Sequence, residues 1–280
     1  MRFIISSDST CDLSPEQIRE NHISIKPLIV NMGGTSYRDG ELAPQKIFDH
    51  VAAGNPLCTT SAVPVGEYEE YFSELLKQGL PVIHINLGSG FSSCYQNACI
   101  AASELENVYC VDSQNLSTGH GLVVLEACRL AQTESDGESL CEKLRAYTAR
   151  VDASFLLDRL DYMVKGGRCS MVKALGANLL RLKPCIEVVN NKMGMGKKYR
   201  GTYAKSIEAY VRDRLAQPED LDLYEIFITR TKVDPEIMDI VRNTVKECAN
   251  FEHIHETTAG ATITCHCGEG TLGILYVRKQ

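Results

Sequence analysis

Apolar and polar positions change period most clearly between Pro81 and Ala102. Val82, Ile83, Ile85 and Leu87 form a short apolar run that reads as a buried strand, and from Tyr95 onward the pattern reads as a helix. Between them lie Gly88, Ser89, Gly90, Phe91, Ser92 and Ser93, small polar residues leading into a helix N-terminus. Such a loop gathers free backbone N–H groups and hydroxyls around one point, which holds an anionic oxygen without a formal positive charge. The rest of the first half alternates in the same way. Strands are predicted over 2–6, 23–30, 82–87 and 108–112, with a turn at Gly33-Gly34. Helices are predicted over 14–21, with Ser14 as N-cap and Pro15 in the first turn, and over 45–53, 66–78, 93–105 and 119–132. Tyr68, Phe72, Leu75 and Leu76 give the helix over 66–78 an apolar face. This order predicts a doubly wound parallel sheet, whose ligands sit beyond the carboxyl ends of its strands.

The second half has a different pattern. After a charged helix over 138–150, a strand over 154–157 leads into a helix that stops at Gly166-Gly167. Strands over 185–189 and 195–199 flank Asn190-Asn191-Lys192, a hairpin signal. A helix over 204–215, a strand over 224–229, a helix over 236–248 and strands over 261–265 and 273–277 complete the chain. The predicted fold class is therefore α/β with two domains. Residues 1–150 form a parallel α/β/α domain bearing the Ser/Gly loops, and residues 151–280 a two-layer α+β domain with a mainly antiparallel sheet. The hairpin around Gly33 is placed to cross over to the second domain.

Composition narrows the function classes. A chain of 280 residues with 44% hydrophobic and 23% charged residues has ample core and is not disordered. Its 29 Lys+Arg against 36 Asp+Glu argue against nucleic acid and against an anionic membrane surface. The opening MRFIISSDST has too short an apolar run for a signal peptide, and no stretch approaches a membrane span. A cytoplasmic location is expected, with the 12 cysteines mostly free thiols and Cys99 and Cys128 filling helix cores.

Candidate chemistry clusters at strand ends. The strand over 2–6 runs into Ser7-Asp8-Ser9-Thr10, and Val108–Val111 runs into Asp112-Ser113; both Asp-Ser pairs read as turn and cap devices on the rim of the Gly88–Ser93 loop. Thr59-Thr60-Ser61, ahead of Pro64, reads as an N-terminal cap for the helix over 66–78. Gly268-Glu269-Gly270-Thr271-Leu272-Gly273 matches G-x-G-x-x-G, but Ile274-Leu275-Tyr276-Val277 is strand-like and near the chain's end, so no dinucleotide fold fits. Gly194-Met195-Gly196-Lys197-Lys198 lacks phosphate-loop spacing, and no cofactor is assigned. His266 stands beside a glycine turn that lets backbone approach a ligand closely. Strand alternation would put Cys265 and Cys267 on the opposite face from it. A zinc set of Cys265, Cys267, His253 and His255 lacks standard spacing, and no metal site is assigned.

Taken together, the chain resembles the DegV family over nearly its full length. Ser7-Asp8-Ser9-Thr10-Cys11-Asp12-Leu13 is similar to D-S-x-x-D-L, Tyr37-Arg38-Asp39-Gly40 to Y-x-D-G, and Thr60-Ser61 to a T-S pair. Ser89-Gly90-Phe91-Ser92-Ser93-Cys94-Tyr95-Gln96 is similar to S-x-L-S-G-T-Y-Q. Asp112-Ser113, Gly166-Gly167-Arg168 and His266-Cys267-Gly268-Glu269-Gly270 are similar to D-S, G-G-R and H-x-G-P-G. The chain departs from the family pattern at Ala62-Val63-Pro64, at Ser93-Cys94 and at Glu269, the last an anion beside an anion site. The family includes the fatty-acid-binding subunit of bacterial fatty acid kinase. The resemblance implies two domains with a fatty acid buried between or beneath them. Its carboxylate would be held by Thr60, Ser61, Ser92, Ser93 and His266, supported by Asp8, Ser9, Gly88, Ser89, Asp112, Ser113, Arg168, Gly268 and Gly270. It further implies a separate kinase subunit that supplies ATP and phosphorylates that carboxylate. Arg168 reads equally as a contact to a phosphate or to that subunit and as a surface cation at a helix end.

A rival from another class is a serine hydrolase using Ser92 and His266, with Asp8 or Asp112 as orienter. The residue types are present, but Gly88-Ser89-Gly90-Phe91-Ser92 lacks the G-x-S-x-G elbow.

Overall fold

The structure, a computed structural model, describes residues 2–167 and 182–279. Strands β1 (Ile4–Asp8), β2 (Ser24–Lys26), β6 (Val82–Asn86) and β7 (Val108–Asp112) form a parallel sheet in the order β2-β1-β6-β7. Every residue of β1 and β6 is buried, as central strands of a parallel sheet must be. Between β2 and β6 lies a second sheet of three short antiparallel strands, β3 (Ile29–Met32), β4 (Thr35–Arg38) and β5 (Thr59–Ser61), in the order β4-β3-β5. The sequence pattern predicts one strand over 23–30; instead Pro27, which has no N–H for a ladder, separates β2 from β3. Thr59-Thr60-Ser61 is likewise a strand and not a cap.

The helices of this half are α1 (Pro15–Glu20), α2 (Pro44–Ala52), α3 (Val65–Leu76), α4 (Cys94–Ser103), α5 (Ser117–Leu130) and α6 (Gly137–Thr148). Ser14 caps α1 as expected, in a reciprocal capping box with Gln17.

The third sheet holds β8 (Val151–Leu156), β9 (Leu182–Val189), β10 (Lys192–Arg200), β11 (Leu221–Arg230), β12 (His253–Thr258) and β13 (Leu272–Arg278), in the order β10-β9-β8-β13-β11-β12. All its pairs are antiparallel except β11 with β12. The fold is thus mixed α/β with a parallel and a mainly antiparallel sheet. After β8 comes the short helix α7 (Asp161–Gly166), and α8 (Tyr203–Arg214) and α9 (Pro235–Cys248) lie against this sheet. Side chains alternate along the strands: Ile226, Ile228, Ile274 and Tyr276 join the core under α8 and α9, whereas Phe227, Leu275 and Val277 join the core on the other face. That other face is covered by α5, which packs on β1 and β6 and also on β8, β11 and β13. One apolar core therefore runs from the parallel sheet through α5 to the antiparallel one.

The expected strand over 261–265 is instead a helix, α10 (Ala261–Cys267), and β12 occupies a stretch where no strand was expected. The cysteines of the described residues are free thiols. No helix among the described residues is long and apolar enough to cross a membrane.

The shared packing of α5 depends on close approach. A Cβ on Gly121 would lie 2.6 Å from the Cys11 carbonyl and 2.9 Å from the Leu13 side chain. Glycine to alanine in a helix normally stabilises by about 0.5–1 kcal/mol. Gly121→Ala is expected to do the reverse, destabilising by about 1–3 kcal/mol in urea unfolding.

Candidate functional site

The loop after β6 is fastened from several directions. Asp8, at the end of β1, accepts the Thr10 N–H (3.0 Å) and hydroxyl (2.5 Å) on one oxygen and the Leu87 N–H (2.7 Å) on the other. Asp112, at the end of β7, accepts the Ser89 N–H (3.0 Å) and hydroxyl (2.6 Å) and the Gln114 N–H (2.9 Å). Ser9 accepts the Leu28 N–H and donates to Asp39, and Ser113 bonds the backbone of Asn115 in both directions. Both Asp-Ser pairs therefore act as caps, and they pin the loop across three strand ends.

A residue missed by the sequence reading completes this fastening. Asn191, at the tip of the β9–β10 hairpin, donates to the Ser89 hydroxyl (2.7 Å) and to Asp112 (3.0 Å) and accepts the Gly90 N–H (3.0 Å). A Cβ on Gly90 would lie 1.8 Å from the Asn191 carbonyl oxygen, and one on Gly88 2.7 Å from Asn191 Oδ1. These glycines admit the hairpin. The expected cradle of free loop amides is corrected accordingly, because the Ser89 and Gly90 N–H groups are already bonded.

Beside the loop lies a cavity of about 490 Å³. Thr60, Ser61, Ser89, Ser92, Ser93 and His266 all line it, with Gln96 and Thr262 as polar neighbours that the sequence reading did not single out. Its apolar wall includes Leu28, Leu87, Leu116, Phe155, Met193 and Ile263. Thr60 Oγ1 and His266 Nε2 are 2.9 Å apart, across 206 residues of sequence. The ring tautomer decides which of them donates. Ser61 accepts from Asn31 Nδ2 (3.1 Å), and Ser92 Oγ accepts the Cys94 N–H (3.2 Å) at the start of α4. Of the expected supporting residues in the described chain only Ser89 lines the cavity; Asp8, Ser9, Gly88, Asp112, Ser113, Gly268 and Gly270 do not. Arg168 lies outside the described residues. Atoms that the hydrolase reading would use are engaged elsewhere: Thr60 bonds His266 Nε2, and Asp8 and Asp112 serve in the caps above.

His266 owes its place to α10. The sequence Ala-Thr-Ile-Thr-Cys favours a strand by propensity, yet its N-terminus is held by two buried carboxylates from distant segments. Asp12 accepts the Gly260 N–H (2.8 Å), and Asp39 accepts those of Ala261 (3.0 Å) and Thr262 (3.4 Å). Carboxyl oxygens at these free N–H groups accept the hydrogen bonds that an isolated short helix leaves unmade. Burial pushes the Asp12 carboxyl up to about 8, hydrogen bonds from Ser117 and Gly260 oppose this, and Asp39 and Asp8 add to it. At the other end Gly268, at φ +73°, stops the helix against Tyr162, whose ring a Cβ would meet at 2.5 Å. Glu269 pairs with Lys232 (3.1 Å) and does not line the cavity.

On a helix Cys265, His266 and Cys267 do not alternate between two faces, so that expectation falls. Cys265 is buried beside Cys58, while His253 packs on Tyr224 and His255 on Phe227. The conjectured zinc set is not gathered, and no metal-ligating cluster occurs among the described residues.

Comparison with known proteins gives a consistent result. A family model described as "Uncharacterised protein, DegV family" matches residues 2–279. A DegV domain-containing protein of Clostridium acetobutylicum is 31% identical, with 98% of each chain covered. A DegV family protein from Thermus thermophilus, described for its fatty acid binding, superposes with a TM-score of 0.89 at 27% identity over 100% of both chains. A stearic acid-binding protein from Eubacterium ventriosum superposes with a TM-score of 0.85 at 26% identity, covering 99% of this chain and 98% of that one.

Asp12 generates a pH prediction. An acid whose folded value is raised holds a proton that the unfolded chain releases, so stability falls as pH rises from about 4 to about 8 and is level beyond. Asp12→Asn keeps the shape of the protonated form and suits the φ of +50° at this position. Chemical denaturation across that range is expected to show a shallower decline for the variant than for the native chain. Equal slopes would contradict the assignment.

Proposed function

Because the chain belongs to the DegV family, we propose that it binds one long-chain fatty acid in the cavity beside the Gly88–Ser93 loop. The carboxylate is hydrogen-bonded by Thr60, Ser61, Ser92, Ser93 and His266, and the tail lies along Leu28, Leu116, Phe155 and Ile263. In this reading the cavity lies where domains 1–150 and 151–280 meet. The observation that carries the proposal is the composition of one wall: hydroxyls and an imidazole from separate segments, continuous with an apolar surface. The fatty acid binding described for the Thermus thermophilus and Eubacterium ventriosum proteins supports it.

Magnitudes suit a lipid. Each buried methylene is worth about 0.8 kcal/mol, so a dozen contribute roughly 10 kcal/mol before association costs. The tail supplies the affinity, and the polar end keeps the carboxylate from being buried unpaired, which would cost several kcal/mol. Uncharged donors hold a carboxylate less tightly than an arginine fork. That suits a cytoplasmic carrier that presents the carboxylate to a separate ATP-binding kinase subunit for conversion to an acyl phosphate, with no turnover of its own.

Gas chromatography of lipid extracted from the purified protein is expected to give a fatty acid in near-stoichiometric amount. Ser92→Ala and His266→Ala are each expected to weaken fatty acid binding about tenfold, measured by titration with delipidated protein. With ATP and hydroxylamine, acyl hydroxamate forms only when the kinase subunit is added. A protein that purifies empty and binds no fatty acid at micromolar concentration would refute the proposal.

A further inference from the structure

The candidate cavity does not end in solid protein. Behind it lies a second cavity of about 30 Å³, and both are lined by Leu116, Phe155, Ile263 and Cys267, which form the partition between them. Phe155 is the largest of the four and is 5% exposed. Its cross-strand partner on β13 is Gly273, and a Cβ there would lie 2.6 Å from the Ser154 carbonyl and 3.0 Å from Phe155 Cβ. The inner cavity thus sits above a strand position that takes no side chain, with the phenylalanine ring as its door. Its volume is close to the share of a single water molecule in the liquid, about 30 Å³, so it holds little more than one methyl group.

The inner cavity has a mainly apolar surface, and the hydroxyls among its lining residues make their hydrogen bonds within the protein. Thr229 bonds Thr118 (2.5 Å) and Thr257 (2.9 Å), and Ser154 bonds Tyr210 (2.9 Å). Thr231 accepts the Thr271 N–H (3.1 Å). A guest in this space meets groups that are already paired, so a hydrocarbon end fits without stranding a polar atom.

Building on the fatty-acid reading, we propose that Phe155 sets the acyl chain length this protein accepts. The tail of a straight-chain fatty acid runs from the Thr60–His266 end towards the partition and stops against the Phe155 ring. The inner cavity is closed to further methylenes. Phe155 is thereby a specificity-determining residue that meets the tail and not the carboxylate.

The test is a titration of delipidated protein with saturated fatty acids of increasing length. For the native chain, affinity is expected to rise about fourfold per methylene, the equivalent of about 0.8 kcal/mol, and then to stop rising at a limiting length. In Phe155→Ala the two cavities merge, and the rise is expected to continue for about two further carbons. Removing a buried ring weakens a core, so Phe155→Leu is measured alongside and is expected to move the limit less. Ala259 lines the inner cavity, so Phe155→Ala combined with Ala259→Leu refills it and is expected to restore the native limit. If the Phe155 variants bind fatty acid with the native limit, the inference is overturned while the fatty-acid reading stands. If the native chain binds no fatty acid of any length, that reading fails and this inference with it.

Discussion

Two buried carboxylates, Asp12 and Asp39, hold the N-terminus of a helix too short to stand by itself, and the candidate site hangs from that grip. Isolated helices of seven residues are unstable in water, and this one is rich in residues that prefer strands. Its form is imposed by tertiary partners. Once imposed, it brings His266 to Thr60 on β5, which itself belongs to a sheet far from the end of the chain. Several residues that carry the family resemblance, Asp8, Asp12, Asp39 and Asp112 among them, thus shape the frame and leave the cavity wall to other side chains.

That frame is built around α5. Because α5 is buried on nearly every side, it joins a parallel sheet and an antiparallel sheet into one core, and the cavity opens beside the carboxyl ends of the parallel strands. This is where ligands sit in open α/β sheets, and the position needs no special device beyond the topology. The hairpin tip at Asn191 then closes the arrangement from the opposite half, with glycine at 88 and 90 to admit it.

Local pattern made much of this legible. The apolar runs ending at Asn86 and Asp112, the capping box at Ser14 and the hairpin at Asn190-Asn191 were all readable because each depends on near neighbours in sequence. The hydroxyl and imidazole residues of the cavity were readable through the family resemblance, and their types suit the geometry found. What escaped was set at long range. The helical state of Ala261–Cys267 depends on carboxylates more than 200 residues away, and the need for Gly90 depends on a carbonyl about 100 residues away. The break between β2 and β3 was local, and Pro27 was its signal. Gln96 lay within a matched motif and Asn191 within the hairpin signal, but that each reaches the site or its loop could be found only from coordinates.

The cavity wall draws on residues from Leu28 to Cys267, so in a growing chain the cavity stays incomplete until Cys267 has left the ribosome. A guest molecule therefore cannot guide early folding; it meets a finished fold and, by mass action, seals it. Fragments released by termination between the serine loop and His266 would carry the loop without the histidine and so without a complete cavity wall.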